Sequence, residues 1–276
     1  MNPALIVVGA DKGGVGKTTV SRLLLDYLAS RKTPARAFDA EFPRGTLERF
    51  HPDMTEIVDV TQTADQMKII DTLEDAGPKV SVLDVRAGHL GPTLKALEDI
   101  GFIDAAKEGQ FNFCLFHVLG PSVSSLDEIE ITAPYVADAH YYLVKNHVND
   151  TTFFEWDPET YGAYFDEVAT AGEISIPKLN ELAYEQVELA GVPFSDFIDN
   201  RTPDNKRAEH SFVLRGYVRT WVRQVEAEFD RVRLMDIISP RVEVRSTMLV
   251  SFGKTGARLG SKWLVSKATG KRALDR

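Results

Sequence analysis

Leu5, Ile6, Val7 and Val8 form a continuous apolar run, the pattern of a short strand buried on both faces. After a glycine-rich stretch, Val20, Leu23, Leu24, Tyr27 and Leu28 recur at helical spacing and predict a helix over 17–30. Further apolar runs predict strands at 35–38, 80–83, 111–118, 141–144 and 174–176, the last closed by Pro177. Met67, Ile70 and Leu73 share one face of a helix over 64–76 that stops at Gly77-Pro78. Ser125, followed three residues later by Glu128, reads as a capping box opening a helix toward residue 137. Amphipathic helices are predicted over 178–190 and 212–232. Strands alternating with helices imply an α/β fold, a mostly parallel twisted sheet covered by helices on both faces. The least patterned stretch, 153–171, reads as an inserted loop and helix whose aromatic residues pack locally. The chain shows no internal repeat and no low-complexity segment.

Composition narrows this picture. The 276 residues are 43% hydrophobic and 26% charged, so a sizeable core forms without staples, against both disorder and a disulfide scaffold. The single cysteine, Cys114, excludes an intramolecular disulfide and any iron–sulfur or zinc site built on paired cysteines, and reads as a buried structural thiol. The six histidines show no paired metal-binding spacing. The first ten residues lack the basic region of a secretory signal, and no apolar stretch approaches the ~20 residues that span a bilayer, so a cytoplasmic location is expected.

Charge is uneven. The chain carries −9 overall, yet residues 241–276 hold nine basic side chains against two acidic ones, a tail of +7 behind a body of −16. The expected organisation is an α/β domain over 1–235 and a basic tail over 236–276. Such a tail points to an anionic partner, nucleic acid or a lipid surface; a solvated last helix is the plainer alternative.

The most informative residues lie between the first strand and the first helix: Asp11-Lys12-Gly13-Gly14-Val15-Gly16-Lys17-Thr18-Thr19. Successive backbone N–H groups in a glycine-rich turn point into one concavity and bind phosphate oxygens, and the helix N-terminus adds a favourable dipole. Lys17 is expected at the β- and γ-phosphates and the Thr18 hydroxyl on Mg²⁺, with Gly13, Gly14, Val15, Gly16 and Thr19 completing the nucleotide cradle. The strict G-x-x-x-x-G-K-[ST] pattern is not met, because Asp11 stands at its first glycine.

Lys12-Gly13-Gly14-Val15-Gly16-Lys17-Thr18-Thr19 instead resembles the deviant Walker A loop of the ParA/MinD family, within the SIMIBI class of P-loop nucleotide hydrolases. The resemblance implies that Lys12 reaches across a two-fold interface to the nucleotide of a second subunit. Phe38-Asp39-Ala40-Glu41-Phe42-Pro43 is similar to the family's D-x-D-P segment, which makes Asp39 and Glu41 its two acidic residues. The second of these orients the attacking water, and both lie near Mg²⁺. Asp84 ends an apolar strand as a Walker B aspartate does, where it binds Mg²⁺ through water, and Asp84-Val85-Arg86-Ala87-Gly88 is similar to the switch that follows, with Arg86 in place of Pro. Arg86 has three readings: phosphate, the partner subunit or DNA. Asn146, at the end of a strand, and Pro177, in an Ile-Pro segment, resemble the family's adenine contacts. The roughly 43 residues between Glu41 and Asp84 resemble the compact plasmid-partition branch.

The function implied is an ATP- and Mg²⁺-dependent switch. ATP joins two copies, slow hydrolysis helped by a stimulating partner separates them, and the dimer positions or partitions DNA or another cargo. The tail's expected surface is non-specific DNA, which would give a nucleoid association. The alternatives are a MinD-like membrane-associated positioning ATPase, for which Trp263, Leu264 and Val265 between Lys262 and Lys267 form an interfacial segment, and a small-molecule kinase or ligase of the SIMIBI class. A nucleotide-binding scaffold that hardly hydrolyses is a further reading.

Overall fold

In the computed structural model the described residues are 2–74, 77–136, 139–148, 152, 153, 155, 157–159, 162 and 172–238. The basic tail from residue 239 onward, most of the 153–171 stretch, and the expected helix ends at 76 and 137 lie outside them.

Chain order is β1 (Ala4–Gly9), α1 (Lys17–Ser30), β2 (Ala35–Asp39), β3 (Thr55–Ile57), α2 (Thr63–Glu74), β4 (Val80–Asp84), α3 (Leu90–Asp99) and α4 (Phe102–Lys107). There follow β5 (Asn112–Leu119), α5 (Val123–Val136), β6 (His140–Asn146), β7 (Gly172–Ile176), α6 (Glu181–Ala190), α7 (Phe194–Ile198), α8 (Phe212–Arg231) and α9 (Leu234–Ile238). The strands form one seven-stranded sheet in the order β3-β2-β4-β1-β5-β6-β7, and every pairing is parallel.

The apolar run of β1 is buried at every position because the strand lies inside the sheet with helices on both faces. Ala4, Ile6 and Val8 enter one core layer, which holds Leu24, Val187, Trp221 and Phe229 from α1, α6 and α8. Leu5 and Val7 enter the other, with Leu73, Leu94, Phe102 and Ile129 from α2 to α5. Cys114 is fully buried in β5, and burial pushes its thiol up to about 12.

The elements differ from the sequence expectation where local signals mislead. Helix α5 begins at Val123, two residues before Ser125, and the Ser125 Oγ accepts a hydrogen bond from the Gly120 N–H at 2.9 Å. The capping box is therefore not formed, and Glu128 is directed elsewhere. Helix α6 begins at Glu181 rather than 178, because Asn180 is the N-cap and accepts from the Ala183 N–H at 3.1 Å. Strand β3 and helices α4, α7 and α9 are too short to show a period; α3, which the sequence reading did not predict, buries Leu90, Leu94 and Leu97 on one face and opens on Leu90-Gly91-Pro92, tolerated in a first turn where N–H groups have no intrahelical acceptor. Helix α9 spans the expected domain boundary at 235, with Leu234 and Ile238 both buried.

Register does the placing. Asp39 and Asp84 are direct partners in β2 and β4, Val8 is the partner of Asp84, and Asn146 pairs with Ile176. These residues all sit at or near the carboxyl ends of parallel strands, on the two sides of the central β1 where the chain switches from building one side of the sheet to the other. That is the crevice where open α/β sheets bind ligands.

Candidate functional site: a phosphate loop between two cavities

The turn from β1 into α1 is made by Gly14 at φ 76° and Gly16 at φ 95°, left-handed values that favour glycine. Gly16 is also crowded: a Cβ there would lie 2.1 Å from Asn146 Nδ2. Gly16 caps α1, whose first backbone bond runs from the Val20 N–H to the Gly16 carbonyl at 3.0 Å. The N–H groups of Lys17, Thr18 and Thr19 thus have no acceptor within the helix, the arrangement that binds anions.

Lys17 is buried, and its ammonium donates to the Lys12 carbonyl at 3.0 Å, bridging the loop from end to start. Burial lowers its pKa, while the charges of Asp84, Glu128, Glu41 and Asp11 oppose that shift.

Beside it lies a cavity of about 290 Å³ lined by Lys17, Thr18, Asp39, Glu41, Asp84 and Arg86. Asp84 is buried against the Thr18 hydroxyl; burial first, and the Asp39 charge second among the raising causes, push its carboxyl up to about 7. Its Oδ1 is buried with no hydrogen-bond partner, an orphaned oxygen that a hard cation would satisfy. Among the described residues no group of three or more His, Cys, Asp or Glu is placed to hold a metal ion by itself. Magnesium does not require one, since it takes one or two carboxylates together with phosphate oxygens. The donor set of Thr18 and Asp84 fits that ion.

Asp39 has a task the sequence did not suggest. Its Oδ1 accepts from the Glu41 N–H at 2.9 Å, and its Oδ2 from the N–H groups of Leu47 at 2.6 Å and Glu48 at 3.3 Å. The carboxylate organises the 41–48 turn, which wraps it so tightly that a Cβ on Gly45 would lie 2.5 Å from Oδ2. Burial raises the Asp39 pKa against the pull of those N–H groups. Glu41, exposed on the same turn, accepts from the Thr46 hydroxyl at 2.5 Å. Arg86 is exposed on the cavity rim.

Lys12 is exposed, and its Nζ donates to Ser122 Oγ at 2.9 Å, on the turn between β5 and α5. The Asp11 carboxylate accepts from the Leu90 N–H at 3.1 Å, at the start of α3, which explains a side chain where the strict motif has glycine.

A second cavity, of about 300 Å³, opens on the other side of the loop, lined by Gly14, Gly16, Asn146, Pro177, Tyr184 and Trp221 among others. Asn146 Nδ2 donates to the Val15 carbonyl at 2.9 Å, so its amide already braces the loop. Its Oδ1 and second N–H are the atoms left for a base. Trp221 of α8 fixes the wall by donating from Nε1 to the Pro177 carbonyl at 2.6 Å. Tyr184 of α6 lies on the rim of both cavities.

The structure therefore brings together Gly13 to Thr19, Asp39, Glu41, Asp84, Asn146 and Pro177, and sets Lys12 at the loop's outer edge. Sequence reasoning missed Glu128, Tyr184 and the part played by Asp11. For Glu128 a signal existed: Ser125, Glu128 and Thr132, three and four apart, put a polar stripe on the helix face that Leu126 and Ile129 mark as buried.

No protein-family profile and no curated protein sequence matches the chain. Among solved structures it is similar to the septum site-determining protein MinD complexed with Mg-ADP from Pyrococcus horikoshii, with TM-score 0.53 and 15% identity over 84% of this chain and 98% of that one. It also matches the MinD cell division protein of Aquifex aeolicus, with TM-score 0.45 and 16% identity over 79% and 95% of the two chains. A third match is the cell division protein FtsY of Thermotoga maritima, with TM-score 0.46 and 14% identity over 64% and 62%. The first of these shows the fold: a parallel sheet flanked by helices, of the MinD-like P-loop NTPase type that the loop motif implied. No helix among the described residues is long and apolar enough to cross a membrane.

Proposed function

We propose that this protein is an ATP- and Mg²⁺-dependent switch that works as a pair of copies joined across their phosphate loops, and that hydrolyses ATP slowly. The observation that carries the reading is the contrast between the two lysines. Lys17 is buried against the phosphate cavity, whereas the Lys12 side chain stands exposed at the loop's outer edge, its ammonium on Ser122. A lysine so held is available to a neighbouring nucleotide. The MinD neighbour's bound Mg-ADP agrees with the choice of ligand.

In this reading the N–H groups of the loop and Lys17 bind the phosphates, and Thr18 and Asp84 hold the metal with Asp39 behind them. Bound there, the ion neutralises phosphate charge. Catalysis is electrostatic stabilisation of the transferring phosphoryl group, and Lys12 of the second copy completes it. Glu41 orients the attacking water, and Asn146 and Pro177 meet the adenine. The basic tail adds affinity for DNA, which must fall steeply with salt. Partition of DNA, or positioning of another cargo with a stimulating partner protein, is the cellular role this supports.

Light scattering tests the switch: mass doubles with Mg²⁺ and a non-hydrolysable ATP analogue and stays monomeric with ADP. Lys12→Ala keeps nucleotide affinity and loses both doubling and turnover. Equal mass in both nucleotides, or a dimeric and active Lys12→Ala protein, overturns the reading. Binding to anionic vesicles in place of DNA would leave the switch and change its surface.

A further inference from the structure

Glu128 lies on α5 and is 7% exposed, and beyond its charge near Lys17 it has no part in the roles above. Its Oε2 accepts from the Asp11 N–H at 2.9 Å and faces His117 Nε2 at 3.2 Å. His117 is completely buried in β5, and its Nδ1 lies 2.7 Å from the Tyr141 hydroxyl in β6. That hydroxyl is 3.2 Å from Thr132 Oγ1, which donates back to the Glu128 carbonyl at 3.0 Å. With His117 donating from Nε2 to Glu128 and accepting at Nδ1 from Tyr141, and Thr132 donating to the Glu128 carbonyl, each of these groups has a partner.

At the loop this buried chain of contacts meets the Asp11 N–H. Asp11 is therefore held at two points: its N–H by Glu128 and its carboxylate by the Leu90 N–H of α3. One residue further on, the Lys12 carbonyl receives the Lys17 ammonium. The fixed end of the loop thus sets where the phosphate-binding lysine rests.

We infer that Glu128, oriented by His117 and Tyr141, is a positioning residue that fixes the first peptide of the phosphate loop and thereby sets nucleotide affinity. The inference rests on the nucleotide-binding reading above. A carboxylate buried only for stability would serve the fold alone. One that holds the loop shows in binding, because the N–H it releases must find another acceptor and the loop must be reordered by the ligand.

The test compares Glu128→Leu, which removes the acceptor, with Glu128→Gln, which keeps an oxygen at that place and removes only the charge. The readouts are the dissociation constant of a fluorescent ADP with Mg²⁺ and the thermal midpoint without nucleotide. Glu128→Leu weakens binding about 10-fold, and Glu128→Gln stays within about 2-fold of the parent. His117→Leu, which leaves Glu128 in place without its brace, weakens binding about 3-fold, and the Glu128→Leu/His117→Leu double variant is no worse than Glu128→Leu alone. Equal weakening in Gln and Leu would show charge at work and overturn the proposal, as would a folded Glu128→Leu protein with parental affinity. Should Glu128→Leu fail to fold, His117→Leu decides: a folded protein of parental affinity overturns the proposal. If the parent protein binds no nucleotide, the broader reading falls first, which separates the two failures.

Discussion

The two cavities flanking the phosphate loop are nearly equal in size, about 290 and 300 Å³, and were legible to very different degrees. The phosphate side draws on one short stretch, Gly13 to Thr19, and on the ends of two adjacent strands with the residues just after them, at Asp39 and Asp84. The base side is assembled from Asn146 at the end of β6, Pro177 just after β7, one face of α6 and Trp221 of α8, which lies 44 residues beyond the Pro177 whose carbonyl it meets. Phosphate recognition relies on backbone N–H groups, so it compresses into a contiguous motif. Base recognition relies on side chains converging from distant segments, so it leaves only scattered marks on the sequence.

The largest expected effect breaks the phosphate side. Lys17→Ala removes a buried cation that faces four carboxylates and the Lys12 carbonyl, and should cost about 3 kcal/mol of nucleotide affinity, on the order of 100-fold. Calorimetric titration of Mg·ADP measures it; a loss below about 5-fold would remove Lys17 from the centre of the site.

Gly45→Ala probes the same side at a distance. Its Cβ would meet Asp39 Oδ2 at 2.5 Å, so the 41–48 turn must shift, with an expected loss of about 1–3 kcal/mol of stability. Thermal unfolding reads this directly, and an unchanged midpoint would mean that Asp39 does not depend on the turn wrapped around it.

The smallest effects sharpen the contrast between the sides. Asn146→Ala loses the bond to the Val15 carbonyl as well as any base contact, so it should weaken inorganic tripolyphosphate by about 1 kcal/mol and ATP by more than that. Tyr184→Ala removes a side chain at the border of the two cavities and should weaken ATP by about 3-fold while sparing tripolyphosphate, because loss of ring contact touches the nucleoside alone. Equal effects of both variants on both ligands would erase the division of the site into two halves.

Much of the fold was written in the apolar runs. Strands β1, β2, β4, β5, β6 and β7 and helices α1, α2 and α8 correspond to predicted segments, because buried parallel strands are continuous hydrophobic runs and long surface helices repeat at 3.6 residues. Strand β3, with three residues, is too short to show a period. The capping-box reading of Ser125 and Glu128 failed because the same spacing serves two ends: a helix cap reached from inside, or a buried polar stripe turned toward a neighbouring loop.

What the sequence determined by itself is the chemistry of the loop: glycines at Gly14 and Gly16 where the backbone turns left-handed, Lys17 and Thr18 opening the helix, and acidic residues closing their strands. These needs are local, so adjacent residues satisfy them. Only the tertiary structure decided which distant groups brace that loop. Asp11 joins α3, Lys12 rests on Ser122, Asn146 holds Val15, and Glu128 reaches the loop from α5 across 117 positions. A buried N–H or carbonyl must find a partner, and folding supplies the nearest one in space, whatever its distance along the chain.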